Sequence, residues 1–266
     1  MKKNVLECIK IINHEKRPNS MDYINTVFNN FIELCGDRLY GDDSSLIGGI
    51  AYINKTPVTV IGQLRGRNFS ENVKYNFSMT LPEGFRKALR LMKQAEKFKR
   101  PIICFIDTLG AFPGVQAEER GQATAIANNL YEIIDIKVPI ISIFIGNGFS
   151  GGALALSISD SIAILENAVF SVISPRACAN ILWKDSSKEK EAAELIKMTS
   201  WDLVEEGIVD YIINEPGEGA HSNIEEISSC VKKYIIDQIN IFRSINPSKL
   251  VKKRKRKNSS STRKAY

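Results

Sequence analysis

The feature that most constrains the fold of this sequence is a run of apolar, β-branched residues that ends in a cluster of glycines. The run covers residues 139–145, and Gly146, Gly148, Gly151 and Gly152 follow it within seven positions. An apolar run of this length is typical of a buried strand, and the small residues after the glycines favour a helix. The sequence therefore predicts a strand, then a tight turn, then the first turn of a helix.

The first turn of that helix contains Gly151 and Gly152. The first backbone N–H groups of a helix have no partner within the helix, and they lie at the positive end of its dipole. Two such amides form a site for a negatively charged oxygen or a polarised carbonyl, and a side chain at either glycine would obstruct it. We therefore predict that this turn stabilises negative charge on an oxygen atom.

A second glycine-rich loop follows the preceding strand. Residues 101–107 form another apolar run, and the loop from Thr108 to Gly114 leads into a helix predicted over residues 116–136. If the two strands are neighbours in a parallel sheet, both loops lie at one edge of that sheet. Sheets of this class bind ligands at that edge.

Strands and helices are predicted to alternate along most of the chain. A hairpin is expected over residues 46–61, and a helix with a capping box formed by Thr80 and Glu83 is expected to end near residue 98. Helical spacing of apolar residues also covers residues 20–35. Because each predicted strand is almost entirely apolar, we expect an α/β fold with a parallel sheet covered by helices.

The charge of the chain is unevenly distributed. The 266 residues carry a formal net charge of +6, but residues 252–266 contain eight lysines and arginines and no acid. Subtracting those eight charges leaves −2 for the remainder. Because this C-terminal segment has few apolar residues to bury, we expect residues 247–266 to form a disordered tail. The tail is either a solvated appendage or a weak binding site for a polyanion.

Composition excludes several classes of protein. The five cysteines are scattered without a Cys-x-x-Cys pair, which argues against a disulfide framework and a zinc ribbon, so no metal is expected. No apolar run is long enough to cross a bilayer, and the N-terminus has no apolar signal core, so we expect a cytoplasmic protein without membrane contact. Neither glycine turn has a dinucleotide-binding or Walker pattern.

Residues 148–152 also fit the Gly-x-Ser-x-Gly pattern of serine hydrolases, with Ser150 as the nucleophile. That motif requires a strand, a turn and a helix, which is the context predicted here. Ser150, Asp210 and His221 even follow one another in the order of the α/β-hydrolase triad. The competing interpretation makes Ser150 a helix cap and assigns the chemistry to the two glycine amides that follow it. The local pattern leaves both interpretations open.

Longer motifs occur in collinear order over about residues 17–223. They include residues 17–18, 34–43, 76–79, 82–93, 105–108, 117–122, 150–155, 171–175, 181–185 and 207–210. Together they resemble the α subunit of bacterial acetyl-CoA carboxylase carboxyltransferases. The resemblance implies a crotonase/ClpP-like fold, an α/β superhelix of ββα units with a mostly parallel sheet and peripheral helices. It divides the chain into an N-terminal helical extension (1–16), a carboxyltransferase domain (17–246) and the basic tail (247–266).

The resemblance also implies a function. Such an α subunit pairs with a β subunit of the same fold in an α2β2 heterotetramer and is active only there. The assembly transfers a carboxyl group from carboxybiotin, held on a biotin carboxyl carrier protein, to acetyl-CoA. The product is malonyl-CoA for fatty acid biosynthesis, and no metal is implied in this chain.

The resemblance assigns site residues to the two glycine turns. The paired glycine amides of the family correspond to Gly151 and Gly152, which are expected to polarise the ureido oxygen of biotin. The carboxybiotin side is expected to be lined by residues of both loops, namely Gly110, Ala111, Phe112, Pro113, Gly114, Gly148, Phe149 and Ser150.

The sequence departs from the family pattern near these turns. Asn147 and Phe149 stand where the family has glutamate and glycine, and Leu109 replaces a proline. Arg176 and Ala177 replace a glutamate and a glycine. A non-catalytic paralogue with a polyanion-binding tail is therefore the alternative from another functional class.

Overall fold

The computed structural model describes residues 2–263 of the chain. Its strands are Asn29–Glu33 (β1), Leu46–Ile53 (β2), Thr56–Gln63 (β3), Met79–Thr80 (β4), Ile102–Thr108 (β5), Gly110–Ala111 (β6), Ile140–Phe149 (β7), Ser161–Leu165 (β8), Val169–Ser171 (β9) and Tyr211–Ile213 (β10). Its α-helices are Val5–Ile12 (α1), Ser20–Val27 (α2), Phe69–Lys74 (α3), Pro82–Lys97 (α4), Val115–Glu119 (α5), Gln122–Ile133 (α6), Ser150–Ser157 (α7), Pro175–Trp183 (α8), Glu189–Leu195 (α9), Ser200–Glu205 (α10), Ile224–Arg243 (α11) and Pro247–Arg263 (α12).

Most strands belong to one sheet with the order β1-β2-β3-β5-β7-β8-β10. The first three strands of that order pair antiparallel, whereas the pairs from β3 to β10 are all parallel. The short strand β9 pairs with the last residues of β7, and β4 pairs with β6 in a separate two-stranded sheet. A mostly parallel sheet among helices confirms the predicted α/β class, and the β2–β3 pair confirms the predicted hairpin.

The core is centred on β5 and β7, in which every residue is buried. Both strands are nearly all apolar because helices cover both faces of the sheet. Phe105 and Phe144, one from each strand, have no exposed surface. Truncating either ring to alanine is expected to cost about 3–5 kcal/mol of folding free energy, since a large cavity would remain.

Two helix predictions need correction, one at its C-terminal end and one at its N-terminal cap. The helical spacing over residues 20–35 covers a helix and then strand β1, because the chain becomes extended at Phe28 and buries that ring against Phe105. The capping box at Thr80 does not form, since α4 begins after Leu81 without a side-chain cap. Glu83 instead accepts hydrogen bonds from the Arg120 guanidinium at 3.0 and 3.2 Å.

The long helix predicted over residues 116–136 is two helices. Gly121 lies between α5 and α6 with a φ of +80°, in the left-handed region that favours glycine. This conformation interrupts the hydrogen-bond ladder. The second helix can therefore take a different direction and pack against α4.

The predicted disorder of residues 247–266 is wrong for the described part, because residues 247–263 form helix α12. Leu250 and Arg254, one turn apart, are both buried. The Arg254 guanidinium pairs with Asp160 at 2.6 Å and donates to backbone carbonyls just before β7, including that of Ile136. Composition concealed this helix because its anchor is a buried cation whose partners lie far away in the sequence. Residues 264–266 lie outside the described residues.

The N-terminal segment also packs on the body of the protein. Cys8 and Ile12 of α1 are buried in a small apolar cluster with Phe149 and Met198. None of the helices in the described range is long and apolar enough to cross a membrane.

Candidate functional site at the two glycine turns

The two glycine turns lie side by side at the carboxyl edge of the sheet. Strands β5 and β7 are parallel neighbours, with Thr108 opposite Gly148. The expectation that both loops share one edge is thus confirmed. The turns are also in contact, since a Cβ built on Gly110 would lie 3.8 Å from the Cβ of Ser150.

The chain makes its sharp bend after β7 at Ser150, whose φ is +59°. Helix α7 starts there, so Gly151 and Gly152 are its second and third residues. At these positions a helix has no internal acceptor for the backbone N–H groups. Neither amide donates to any other residue in the described part of the chain. The glycine turn therefore has two backbone donors without an acceptor, and their use as a site for a negatively charged oxygen stays a prediction.

The two glycines have different surroundings. Gly151 is half-buried, and a Cβ there would meet only the side chain of Ile126, at 3.7 Å. Gly152 is buried, and a Cβ there would come within 2.5 Å of the carbonyl carbon of Gly110. Gly152 is thus required for packing of the two loops, whereas a Cβ at Gly151 would make only ordinary van der Waals contact.

Buried polar side chains that the sequence reasoning missed hold the turns together. Gln63, at the end of β3, donates from Nε2 to the carbonyl oxygen of Gly152 at 3.0 Å. Asp107 accepts from the backbone N–H of Asn147 at 2.9 Å, which ties the end of β5 to β7. Gln122 donates to the carbonyl oxygen of Phe112 at 3.0 Å and so fixes the second loop. Asp107 had a sequence signal in its position at the end of an apolar run, and Gln63 had one as a departure from the family pattern, which often has a histidine there.

The loop Gly110–Gly114 begins as strand β6 and is held by its pairing with β4. Gly110 has a φ of +131°, in the region that favours glycine. The Phe112 ring packs over Gly114, where an added Cβ would lie 2.4 Å from a ring carbon. Pro113 is exposed and Phe112 is half-buried. Part of this loop is therefore available at the surface beside Gly151.

Two of the expected lining residues do not present side-chain surface at the turn. Phe149 turns its ring away and buries it against helix α1 and Val169. Gly148 is buried, and a Cβ there would lie 2.6 Å from the Phe144 ring. The turn thus retains only the backbone of these two residues.

The five departures from the family pattern fall into two groups. Asn147 and Phe149 both contact the N-terminal segment, because the Asn147 amide lies 3.4 Å from Asn13 Oδ1 and the Phe149 ring packs on α1. Leu109 and Arg176 are exposed, and Ala177 is half-buried in the first turn of α8. None of the five replaces Gly151 or Gly152, whose backbone amides have no acceptor among the described residues.

The hydrolase triad is wrong. Asp210 accepts from the backbone N–H of Ile162, at the amino end of β8, and therefore lies at the opposite edge of the sheet from Ser150. The His221 ring stacks on His14 with centroids 4.0 Å apart. Within residues 2–263 the hydroxyl of Ser150 has no hydrogen-bond partner, so neither Asp210 nor His221 contacts it.

Comparison with known proteins identifies the family. A sequence model described as "Acetyl co-enzyme A carboxylase carboxyltransferase-like" matches residues 3–262. The acetyl-coenzyme A carboxylase carboxyl transferase subunit alpha of Clostridium beijerinckii is 56% identical over 241 residues, which are 90% of this chain and 89% of that one. The chain belongs to the acetyl-CoA carboxylase carboxyltransferase family. It is an α-type subunit of an enzyme that transfers a carboxyl group to acetyl-CoA.

Other relatives agree with this assignment. The alpha subunit of Clostridium botulinum (strain Alaska E43 / Type E3) is 54% identical over 93% of this chain and 90% of that one. A Clostridium tetani protein named for subunits beta/alpha is 53% identical over 92% of this chain, which covers 43% of the longer protein. The family match reaches beyond residues 17–223 in both directions and includes most of α12.

Solved structures share the fold at low sequence identity. A transcarboxylase 12S structure aligns with a TM-score of 0.71 and 18% identity, over 92% of this chain and 46% of that one. A Pseudomonas malonate decarboxylase hetero-tetramer in complex with coenzyme A aligns with a TM-score of 0.63 and 15% identity, over 85% of this chain and 91% of that one. These likenesses confirm the crotonase-like fold.

Proposed function

We propose that the two glycine turns form the carboxybiotin side of a carboxyltransferase site that a β subunit completes. The observation that carries this proposal is the pair of backbone amides of Gly151 and Gly152, which lie beside the Gly110–Gly114 loop and have no hydrogen-bond acceptor among the described residues. The carboxyl group comes from carboxybiotin on a carrier protein, and the acceptor is acetyl-CoA. We place the product, malonyl-CoA, in fatty acid biosynthesis in the cytoplasm.

The chemistry fits a site without a histidine or a carboxylate pair. When the carboxyl group leaves biotin, negative charge develops on the ureido oxygen. The amides of Gly151 and Gly152 would donate to that oxygen, and the helix dipole of α7 adds to the attraction. Transfer would break the N–CO2 bond of carboxybiotin to release CO2, move a proton from the methyl group of acetyl-CoA to the biotin nitrogen, and form the new bond between that methyl carbon and CO2. This chain would then need to supply position and hydrogen-bond donors more than a base. We expect no metal in this chain.

Exposed apolar side chains around the turns support a protein partner. Leu109 and Val115 flank the second loop with 48% and 74% of their surface exposed, and Val172 follows β9 with 82% exposed. Leu154 of α7 is also apolar, and 41% of its surface is exposed. Apolar side chains gathered around one site are typical of an interface. We assign this face to the β subunit of an α2β2 assembly.

The test is malonyl-CoA formation from acetyl-CoA and carboxylated carrier protein, with this chain alone and with a β subunit of the same source. We expect activity only in the mixture. Gly151→Val in this chain should lower kcat by about 10²–10³, the usual cost of losing an oxyanion donor. The complex with the β subunit should still form, because a Cβ at this position would meet only the side chain of Ile126.

Gly41→Val is the matched control, since a Cβ at Gly41 meets nothing within 4 Å. It should leave kcat unchanged. Full activity of the Gly151→Val variant would show that the glycine amides do not take part in the reaction. A complex that forms but stays inactive with both wild-type chains would favour the non-catalytic paralogue.

A further inference from the structure

Helix α12 carries two sets of cations with different environments. The inner set faces the body of the protein, where Arg254 pairs with Asp160, Lys255 with Asp135 and Lys257 with Asp210. Three carboxylates of the body thus neutralise three cations of the helix. Leu250 and Arg254 are buried, so the helix is held in a fixed orientation.

The outer set is Lys249, Lys252, Lys253 and Arg256. All four are exposed, and none of them forms an ion pair within the described residues. Their spacing of three, four and seven positions places them within about 100° of one another around the helix axis. We call this set the basic stripe. It is a rigid array of positive charge rather than a mobile tail.

The composition around the stripe selects the kind of partner. Residues 247–259 contain no acid and no aromatic residue, and the apolar Leu250 is turned into the protein. A membrane-bound helix needs an exposed apolar face, which the stripe lacks. Stacking on the bases of single-stranded nucleic acid needs aromatic side chains, which residues 247–259 lack. Cations alone fit the evenly charged phosphates of a nucleic-acid backbone.

The position of the stripe separates it from the carboxyl-transfer site. Asp160, the anchor of Arg254, accepts from the backbone N–H of Ile140, the first residue of β7. Gly151 follows the last residue of the same ten-residue strand. Strand length therefore separates the two places by about 30 Å. A partner on the stripe would leave the site open.

We propose that the basic stripe of α12 binds the phosphate backbone of double-stranded nucleic acid without regard to sequence. Each lysine or arginine that contacts a phosphate displaces a condensed counterion. Binding is then expected to weaken with salt, with a slope of log K against log salt near −0.9 for each contact. Four contacts give a slope of about −3 to −4.

The test is fluorescence anisotropy of a labelled, mixed-sequence DNA duplex of about 20 base pairs, titrated with the full chain at several salt concentrations. The same titration is repeated with the full chain in complex with its β subunit. Replacing the stripe by K249Q/K252Q/K253Q/R256Q should lower the affinity by at least about tenfold and flatten the salt slope towards zero. Thermal unfolding should be unchanged, since the four side chains are exposed.

The matched control is K10Q/K16Q/K55Q/K233Q, which removes four exposed lysines that form no ion pair within residues 2–263 and so changes the net charge equally. It should keep at least half of the affinity. An equal loss in both variants would overturn the proposal, since general charge would then explain the binding. Absence of duplex binding at low salt would also overturn the proposal. Binding of the chain to phosphatidylglycerol vesicles but not to the duplex would overturn it too, and would assign the stripe to a membrane surface.

Discussion

Gly152 lies against the backbone of Gly110, so closely that a Cβ on Gly152 would come within 2.5 Å of the Gly110 carbonyl carbon. Real Cβ atoms do not approach a backbone carbon this closely, and backbone atoms cannot swing aside as a flexible side chain can. The contact joins the start of α7 to the loop after β5. It sets the spacing between the two turns on which the proposed site depends.

Gly152→Ala should therefore both destabilise the protein and remove activity. The two loops must separate to admit the methyl group, and overpacking of this kind costs about 1–3 kcal/mol. Urea denaturation and malonyl-CoA formation in the αβ mixture measure the two effects. Gly151→Ala is the comparison, with less than about 1 kcal/mol expected because its Cβ would meet Ile126 at an ordinary 3.7 Å. Equal free energies of unfolding for Gly152→Ala and Gly151→Ala would contradict the close contact between Gly152 and Gly110.

Ser150→Ala should leave most of the transferase activity. The serine hydroxyl has no partner among the described residues, and the amides that follow it do not depend on it. Serine and alanine both have a Cβ, so the backbone strain at a φ of +59° is the same for either residue. The free energy of unfolding should therefore change by less than about 1 kcal/mol. Steady-state kinetics of the αβ complex is the measurement. A loss of 10³-fold or more, of the order seen on removing a nucleophile, would restore a role for the hydroxyl.

The buried pair of Arg17 and Glu215 should be essential for folding. Arg17 donates two hydrogen bonds of 2.7 Å to Glu215 and also contacts the carbonyl oxygen of Ile145. Burial opposes ionisation of Glu215, but the charge and hydrogen bonds of Arg17 outweigh it and lower the pKa of the carboxyl. Glu215→Gln would strand a buried cation and should cost about 3–5 kcal/mol. The exposed Glu218→Gln should change the free energy of unfolding by less than about 0.5 kcal/mol.

His221 should make stability sensitive to mild acid. Burial lowers the pKa of this imidazole below 6.5, and the charges of His14 and Arg17 add to the effect. The unfolded chain then binds the proton more readily, so stability is full above pH 6.5 and falls as the pH drops below it. Nearby Glu215 and Glu218 oppose the shift in part. His221→Gln should flatten the free energy of unfolding between pH 7 and pH 5. An unchanged slope would contradict this assignment.

Arg254→Ala should destabilise the protein although it removes one cation from a highly basic segment. The Asp160 carboxylate would stay buried without its main partner, and burial already raises its pKa. The expected cost is about 3–5 kcal/mol, measured by chemical denaturation. Arg256→Ala, two residues away and exposed, is the matched control and should be neutral. Equal effects would show that α12 does not depend on this anchor.

The sequence by itself determined the local elements around the site. The apolar run before Gly146 and the small residues after Ser150 predict a strand, a turn and a helix start, because those preferences act between near neighbours. The same pattern predicted that Gly151 and Gly152 expose unpaired amides. The collinear motifs, once recognised, led to the family that the comparisons confirmed.

Only the tertiary structure decided which distant groups meet. Ser150, Asp210 and His221 fit a triad by chain order, yet Asp210 lies at the far edge of the sheet, since chain order does not specify the end of a strand at which a residue lies. The sequence around Arg254 predicts a solvated basic segment. The structure instead buries Arg254 against Asp160, which lies far away in the sequence. A charge can be buried only where the whole fold brings a partner to it, and the local sequence does not specify which distant residue that partner is.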